Sequence, residues 1–154
     1  MVAKTRERIA PILGAAEAAK RVRVGRMDDL GRYADASFDL VVALGIYHCA
    51  QNRSEWERSL SETSRVLKPG GRVLVSVFTP ETDLTGRGTS AVAGEPDVYE
   101  GFDTGSRHVL VDDAGLDRDM GRFGFSPLEP TRVARPNVEV GRRVSANGFY
   151  VKGR

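Results

Sequence analysis

A Pro-Gly-Gly turn between a helical segment and an apolar strand constrains the fold of this chain more than any other feature. The turn is Pro69-Gly70-Gly71, and the apolar residues 72–78 follow it. An earlier run, Phe38–Leu44, has the length of a strand and is almost continuously apolar, which is typical of a strand covered on both faces in a parallel sheet. Strand, helix, turn and strand in this order predict a doubly wound α/β sheet with a right-handed crossover.

The helix between these two strands has a start signal and one apolar face. Ser54, with Glu57 three residues later, fits a capping box and predicts that the helix begins at Ser54. The residues that share one face at helical spacing are Trp56, Leu60, Thr63 and Leu67. We therefore predict that this face, including its tryptophan, packs in the core.

The segments before and after this strand–helix–strand unit have less regular patterns. Residues 1–20 predict a helix that Pro11 either kinks or divides, and residues 22–27 predict a short strand. Near the end of the chain, Asp113–Arg122 predicts a helix with an Asp cap and Gly124 beyond its end. Residues 125–133 predict an edge strand because they contain two prolines, and residues 144–151 predict a last strand.

Residues 79–107 lack a sustained hydrophobic period and are rich in Gly, Thr, Asp and Glu. A segment of this length without its own pattern is usually a functional loop. We predict an insertion that acts as a lid on the substrate side of a single domain spanning residues 1–154.

Composition excludes several classes of protein. The chain has 154 residues, 40% of them hydrophobic, which is enough for the core of one domain. It contains one cysteine and no apolar run of about 18 residues, so we expect a cytoplasmic protein without a membrane span. The net charge is +2, and because the arginines are scattered among acidic residues, a nucleic-acid partner is not expected.

Three segments together resemble a known family. They are ADASFDLVV at residues 34–42, the pair Tyr47-His48, and ETSRVLKPGG at residues 62–71. This pattern resembles class I S-adenosylmethionine-dependent methyltransferases, and the match extends more weakly over residues 1–78. The resemblance implies a Rossmann-like, mostly parallel sheet with an antiparallel last strand, and S-adenosylmethionine as the cofactor.

The resemblance also implies an adenine-binding segment at residues 25–30. In the family an acidic side chain there accepts from the adenine amino group, and the next backbone amide meets a ring nitrogen. Arg26 stands at the usual acidic position; it has only donors, although it could stack on the ring. Met27 can supply the backbone amide, and Asp28 is either a nearby acceptor or a solvated turn residue.

Further site residues follow the first strand. Leu44, Gly45 and Ile46 match the family edge that lies against the methionine part of the cofactor, although the glycine could serve only the turn. Tyr47 and His48 are predicted to point into the substrate crevice. The tyrosine ring could lie against a sulfonium, and the histidine is either a proton acceptor or a hydrogen-bonded structural residue. A metal site is not expected, because no further Cys or His stands at ligand spacing.

One family feature is missing from this sequence. No acidic residue followed by a glycine-rich turn precedes residue 25, and residues 1–9 resemble the helix after the family's second strand. We therefore expect an incomplete sheet without its first two strands, with two unpaired edges and an uncovered apolar helix face. Three explanations stay open: the chain is a fragment of a longer enzyme, another chain or a second copy completes it, or the sheet closes over the gap.

Two functions remain in competition. The first is transfer of a methyl group to a small-molecule acceptor by in-line displacement, in which the protein chiefly positions the reactants. The second is a non-catalytic remnant that acts as a binding or dimerisation module, for which little stabilisation by the cofactor is expected. A nicotinamide-dependent oxidoreductase is disfavoured because no G-x-G-x-x-G follows a strand.

Overall fold

The computed structural model describes residues 2–101 and 105–154. The helices are α1 (Val2–Leu13), α2 (Ala15–Arg21), α3 (Arg53–Val66) and α4 (Asp113–Arg122), and a 3-10 turn spans Tyr47–Cys49. The strands are β1 (Phe38–Leu44), β2 (Leu67–Phe78), β3 (Ser90–Ala91), β4 (Val98–Glu100), β5 (His108–Val109), β6 (Phe125–Pro127), β7 (Arg132–Ala134) and β8 (Ser145–Lys152).

The main sheet has the order β1-β2-β8-β6, with β7 also paired to β8. β1 and β2 are parallel, whereas β8 runs antiparallel to β2. The predicted Rossmann-like α/β class with an antiparallel last strand is therefore confirmed. The Pro-Gly-Gly segment lies inside β2, where the register with β1 shifts after Phe38 and Gly70 has a φ of 76°.

The α3 helix is capped two residues earlier than its sequence predicts. The Asn52 side chain accepts from the Glu55 backbone N–H at 2.9 Å, and the Glu55 carboxylate accepts from the Gln51 N–H at 2.8 Å. Ser54 is therefore not the N-cap, because asparagine offers an equally good acceptor two residues before it. The predicted buried face is confirmed for Trp56, Leu60 and Thr63, which are all buried on α3. Leu67 is buried as well, but it is the first residue of β2 and not part of the helix.

The core lies between one face of the sheet and the helices α3 and α4. On β2 the inward residues Val73, Val75 and Val77 alternate with residues that reach solvent. From α4, Leu116 and Met120 are buried against this face, as their spacing predicts. Contacts of α4 with β6 and β8 complete this layer.

The opposite face of the sheet is uncovered. Leu40, Val42 and Leu44 on β1 are between 51% and 57% exposed, and Leu74 on β2 is 37% exposed. The prediction that β1 is covered on both faces is therefore wrong: its apolar run has partners on one side only. We call these four residues the open apolar face.

The amino-terminal segment differs from its prediction in one element. Pro11 lies inside α1, and the break between α1 and α2 falls at Gly14, whose φ is 82°. Residues 22–27 do not form the predicted strand; Arg26 makes only an isolated bridge with Asp29. Among the described residues, β1 therefore has β2 as its one partner strand, so the sheet has an unpaired edge there.

Residues 79–107 carry more structure than their sequence predicts. The strands β3 and β4, together with β5 just after this segment, form a small antiparallel sheet that follows a loop organised by Asp83. The Asp83 carboxylate accepts from the backbone N–H groups of Thr85, Gly86 and Gly88. Residues 102–104 lie outside the described residues, and the role of the segment as a lid stays a prediction.

Candidate functional site

The carboxyl ends of β1 and β2 form a crevice of about 160 Å³, here called the β1–β2 crevice. Because the two strands are parallel, both end at the same edge of the sheet, which is where open α/β sheets bind ligands. The lining residues are Leu44, Gly45, His48, Ser76, Val77, Phe78 and Arg143.

Gly45 makes the backbone accessible at this edge. It has a φ of 70°, and its N–H donates to the Ser76 carbonyl at 2.8 Å, so the turn is tied to β2. An added Cβ would find its nearest atom, His48 Cε1, at 3.9 Å, which leaves open space above the glycine. Leu44 lines the crevice with it, and Ile46 lies alongside, 43% exposed. Three of the predicted cofactor residues are thus brought together, and their binding role stays a prediction.

His48 forms a wall of the crevice and is held by the end of β2. Its Nδ1 accepts from the Phe78 N–H at 3.3 Å, and its ring lies 4.6 Å from the Phe78 ring. His108 packs beside it, with Nδ1 donating to the His48 carbonyl at 3.1 Å. Burial, followed by the influence of His108, lowers the pKa of His48 to about 4. The imidazole is therefore neutral at pH 7 and is part of a hydrogen-bonded framework.

Tyr47 does not point into the crevice, which corrects its predicted orientation. The 3-10 turn directs its side chain into the core, where it is 2% exposed and its ring packs edge-on to that of Trp56. The hydroxyl is hydrogen-bonded to Thr63 Oγ1 at 2.6 Å. Burial raises the pKa of Tyr47 to about 12. Its ring is therefore enclosed by protein rather than available to a ligand in the crevice.

The predicted adenine segment is anchored to α3 by ion pairs. The Arg26 guanidinium lies 2.9 Å from the Asp28 carboxylate and 2.7 Å from that of Glu55. Asp28 also accepts from Arg58 at 3.1 Å, so both of its carboxylate oxygens bind guanidinium groups. The hydrogen bond from Arg26 holds the pKa of Asp28 below its ordinary value. These contacts give Asp28 a structural role in place of the solvated turn position considered above.

The predicted adenine segment lines a different cavity from the β1–β2 crevice. Arg26 lines a second cavity of about 540 Å³, and Met27 packs against the edge of the core. The other residues lining this second cavity are Val24, Gly25, Asp29, Gly31 and Arg32. The sequence-predicted residues therefore form two clusters.

Four crevice residues are missing from the sequence-based site: Ser76, Val77, Phe78 and Arg143. The first three belong to β2, whose predicted role was structural, and Arg143 precedes β8. A signal for the arginine was present: an antiparallel last strand must begin where β2 ends, so the residues just before it lie at the crevice. In the structure Ser145 pairs with Phe78 at the end of β2, which brings Arg143 to the crevice.

Residues 2–101 and 105–154 contain neither a candidate metal cluster nor a candidate membrane-spanning helix. No group of three or more His, Cys, Asp and Glu side chains there could hold a metal ion. Within the same ranges, no helix combines the length and apolar character needed to cross a membrane.

Comparison with known proteins agrees with this architecture. The sequence model of the methyltransferase domain family matches residues 2–75, which include β1, α3 and most of β2. Over these residues the chain is similar to this family. Over 67 residues it is 33% identical to a protein of Encephalitozoon cuniculi described as a methyltransferase; the match covers 44% of this chain and 32% of that protein. The chain thus corresponds to about a third of this relative.

Solved structures of S-adenosylmethionine-dependent methyltransferases share the fold of this chain. One such protein from Methanosarcina mazei superposes with a TM-score of 0.66 at 17% identity, covering 90% of this chain and 76% of the other. The 1,6-didemethyltoxoflavin-N1-methyltransferase of Burkholderia thailandensis, solved with 1,6-didemethyltoxoflavin and S-adenosylhomocysteine, gives 0.61 at 19% identity, covering 92% and 57%. At these identities the likeness is one of fold.

Proposed function

We propose that this chain binds S-adenosylmethionine at the β1–β2 crevice and takes part in methyl transfer to a small-molecule acceptor by in-line displacement. The observation that carries the proposal is Gly45, in a left-handed conformation at the carboxyl end of β1 with open space above it. A relative of the same fold is described with bound S-adenosylhomocysteine, which supports the choice of ligand.

The residues of β1 fit the apolar part of such a ligand. Gly45 permits close approach of the backbone, while the exposed side chains of Leu44 and Ile46 offer apolar contact. The crevice is smaller than the 300–1,000 Å³ typical of ligand pockets, so these residues would hold one part of the cofactor. Met27 would contribute its backbone amide on the adenine side, with Arg26 stacking on the ring.

The chemistry needs little from the protein beyond positioning. The cofactor supplies a methyl group on a sulfonium, which is already activated toward a nucleophile. The neutral His48 and the rigid Gly45 turn shape the wall against which an acceptor would align, and such alignment can supply much of the rate enhancement. A pKa of about 4 makes His48 a weak base at pH 7, so we assign it a positioning role.

A titration with S-adenosylhomocysteine, followed by NMR of the ¹⁵N-labelled protein, tests the proposal. We expect concentration-dependent shifts of the amides of Gly45, Ile46 and Met27. Even weak binding is visible in such a titration, whereas thermal stabilisation grows only with the ratio of ligand concentration to Kd and is expected to be small. Shifts confined to other parts of the chain, or none at millimolar ligand, would refute the proposed site.

A pair of glycine variants supplies the matched control. Gly45→Ala and Gly124→Ala both place a Cβ at a positive φ, 70° and 83°, without a close atom. Their strain costs are therefore similar, of the order of 1 kcal/mol. We expect about tenfold weaker ligand binding for Gly45→Ala only, which corresponds to about 1.4 kcal/mol.

The second candidate is a binding or dimerisation module without catalytic activity. It is favoured by the open apolar face and the unpaired edge of β1, since contiguous apolar surface and free strand edges commonly pair with another chain. A second copy or a completing chain is the proposed partner. Sedimentation velocity distinguishes this candidate: a stable dimer together with absent ligand shifts would support the module over the enzyme.

A further inference from the structure

Arg143 places a positive charge at the mouth of the β1–β2 crevice. It is the one lysine or arginine among the lining residues, and the rest are apolar, hydroxyl-bearing or, for His48, neutral at pH 7. A cation among uncharged lining residues favours the binding of a negatively charged group.

The backbone directly after Arg143 is fixed by hydrogen bonds and strand pairing. The Val144 N–H donates to Thr82 Oγ1 at 3.1 Å, and the Val144 carbonyl accepts from the Thr79 N–H at 3.0 Å. Ser145 then pairs with Phe78 at the end of β2. The arginine is thus attached to a rigid junction between β2 and β8, at a defined distance from the crevice wall.

The side chain is positioned by an aromatic ring. The guanidinium carbon lies 5.3 Å from the centre of the Phe78 ring, within the range of cation–π attraction. The His48 ring lies 4.6 Å from the same phenyl ring at an interplanar angle of 42°, so imidazole and guanidinium both pack against Phe78. Among residues 2–101 and 105–154, no carboxylate lies within salt-bridge distance of Arg143, in contrast to Arg26, Arg53 and Arg65.

We propose that the methyl acceptor carries a carboxylate or phosphate group and that Arg143 binds it. This inference rests on the proposed function and names the substrate class for the same crevice. Guanidinium groups recognise such anions with paired, charge-assisted hydrogen bonds, and stacking on Phe78 leaves the N–H edge of the group for that purpose. Arg143 is accordingly a specificity-determining residue.

Small anions test the inference without requiring the acceptor. The labelled protein is titrated with acetate and with inorganic phosphate, against sodium chloride at equal ionic strength. We expect both anions to shift the amides of Gly45 and Ser76, with binding weakened about tenfold or more in Arg143→Gln and largely kept in Arg143→Lys. Equal binding by the wild type and Arg143→Gln, or shifts only elsewhere, would overturn the inference.

Arg142→Gln is the control for loss of charge. Arg142 is the exposed neighbour, and its side chain donates to the Glu81 carbonyl instead of lining the crevice. Anion binding at the crevice should be unchanged in this variant. A loss equal to that in Arg143→Gln would show that general positive charge, rather than the crevice residue, attracts the anion, and would count against the proposal.

The cofactor's own carboxylate is the other source of the same chemistry. S-adenosylhomocysteine carries this group and 5′-methylthioadenosine lacks it. Binding of each compound is therefore measured with the wild type and with Arg143→Gln. If Arg143→Gln weakens binding of the first compound alone, Arg143 binds the cofactor and the assignment to the acceptor is wrong. Unchanged binding of both compounds, with lost acetate binding, supports it. Because acetate needs no cofactor, failure of the proposed function would appear separately.

Discussion

The two faces of the main sheet are built from similar residues but have different surroundings. On the covered face, Val73, Val75 and Val77 are essentially inaccessible to solvent beneath α3 and α4. On the other, Val42 is 56% exposed on a strand that is just as apolar. An apolar strand can therefore be buried on either face. Which face is buried depends on whether a helix or another element packs against it.

The β1–β2 crevice lies where the two faces meet. His48 is buried with its ring against that of Phe78, while Leu44 belongs to the open apolar face. A ligand at this edge would therefore contact a rigid wall on one side and exposed apolar surface on the other. Four experiments can break or sharpen the contrast between the faces, and they are ordered by expected effect.

Truncating a leucine on each side should give the largest difference. Leu60 is fully buried, and Leu60→Ala should lower the free energy of unfolding by about 2–5 kcal/mol, because it removes packing and leaves a cavity. Leu40→Ala, at a residue 51% exposed, should cost less than about 1 kcal/mol. Urea unfolding measures both. Equal losses would mean that the open apolar face is buried in solution.

Removing a carboxylate charge should give the next largest effect. Asp119 is 1% exposed and accepts from Trp56 Nε1 at 3.0 Å, with the Arg53 guanidinium at 2.8 Å. Asp119→Asn should therefore cost about 1.5–3 kcal/mol in denaturant unfolding. The matched change Asp39→Asn alters a largely exposed ion pair with Lys68. Its effect on the free energy of unfolding should lie within experimental error. A substantial loss in the second variant would contradict this account.

His48 predicts a pH dependence at the boundary between the faces. Its pKa is about 4 in the folded protein and about 6.5 when unfolded, so the unfolded chain binds more protons between these values. The contribution is fully present above pH 6.5 and is lost as the pH falls toward 4. Unfolding free energy should drop by about 2 kcal/mol between pH 7 and pH 5. His48→Asn should flatten this slope; an unchanged slope would assign it to other groups.

A charge on the open apolar face should have the smallest effect on folding. Val42→Lys places an ammonium at a residue that already reaches solvent, so the unfolding free energy should change by less than about 0.5 kcal/mol. If the chain self-associates through this face, sedimentation should show a monomer in the variant. A cost of several kcal/mol would show that Val42 is buried by another element.

The regular elements were predictable where pattern and boundary signals agreed. The strand Phe38–Leu44 and the helix Asp113–Arg122 form over the predicted residues. A strand-length apolar run indicated the first, and an Asp cap before a helical pattern indicated the second. Residues 22–27 do not form a strand. Within them Arg26 pairs with Asp28 and with Glu55 on α3, and the second contact joins residues too far apart in sequence to be predicted.

The candidate site was predictable only near β1. Gly45 and Leu44 follow directly from the end of a strand, so their place at the sheet edge needs no tertiary information. The inward rotation of Tyr47 depends on the 3-10 turn and on a partner sixteen residues away, Thr63. Arg143 reaches the crevice through strand order, because β8 begins beside the end of β2.

The sequence by itself determined the α/β class, the likeness of residues 2–75 to the methyltransferase domain family and the glycine at the end of β1, because these depend on local periodicity, capping and turn chemistry. The tertiary structure alone decided which face of the sheet is covered, which aromatic side chain is enclosed and which arginine borders the crevice. The physical reason is that burial and charge environment arise from contacts between residues far apart in the chain. The Leu67–Phe78 strand with its Pro-Gly-Gly segment specifies where these contacts can form, and packing selects those that do.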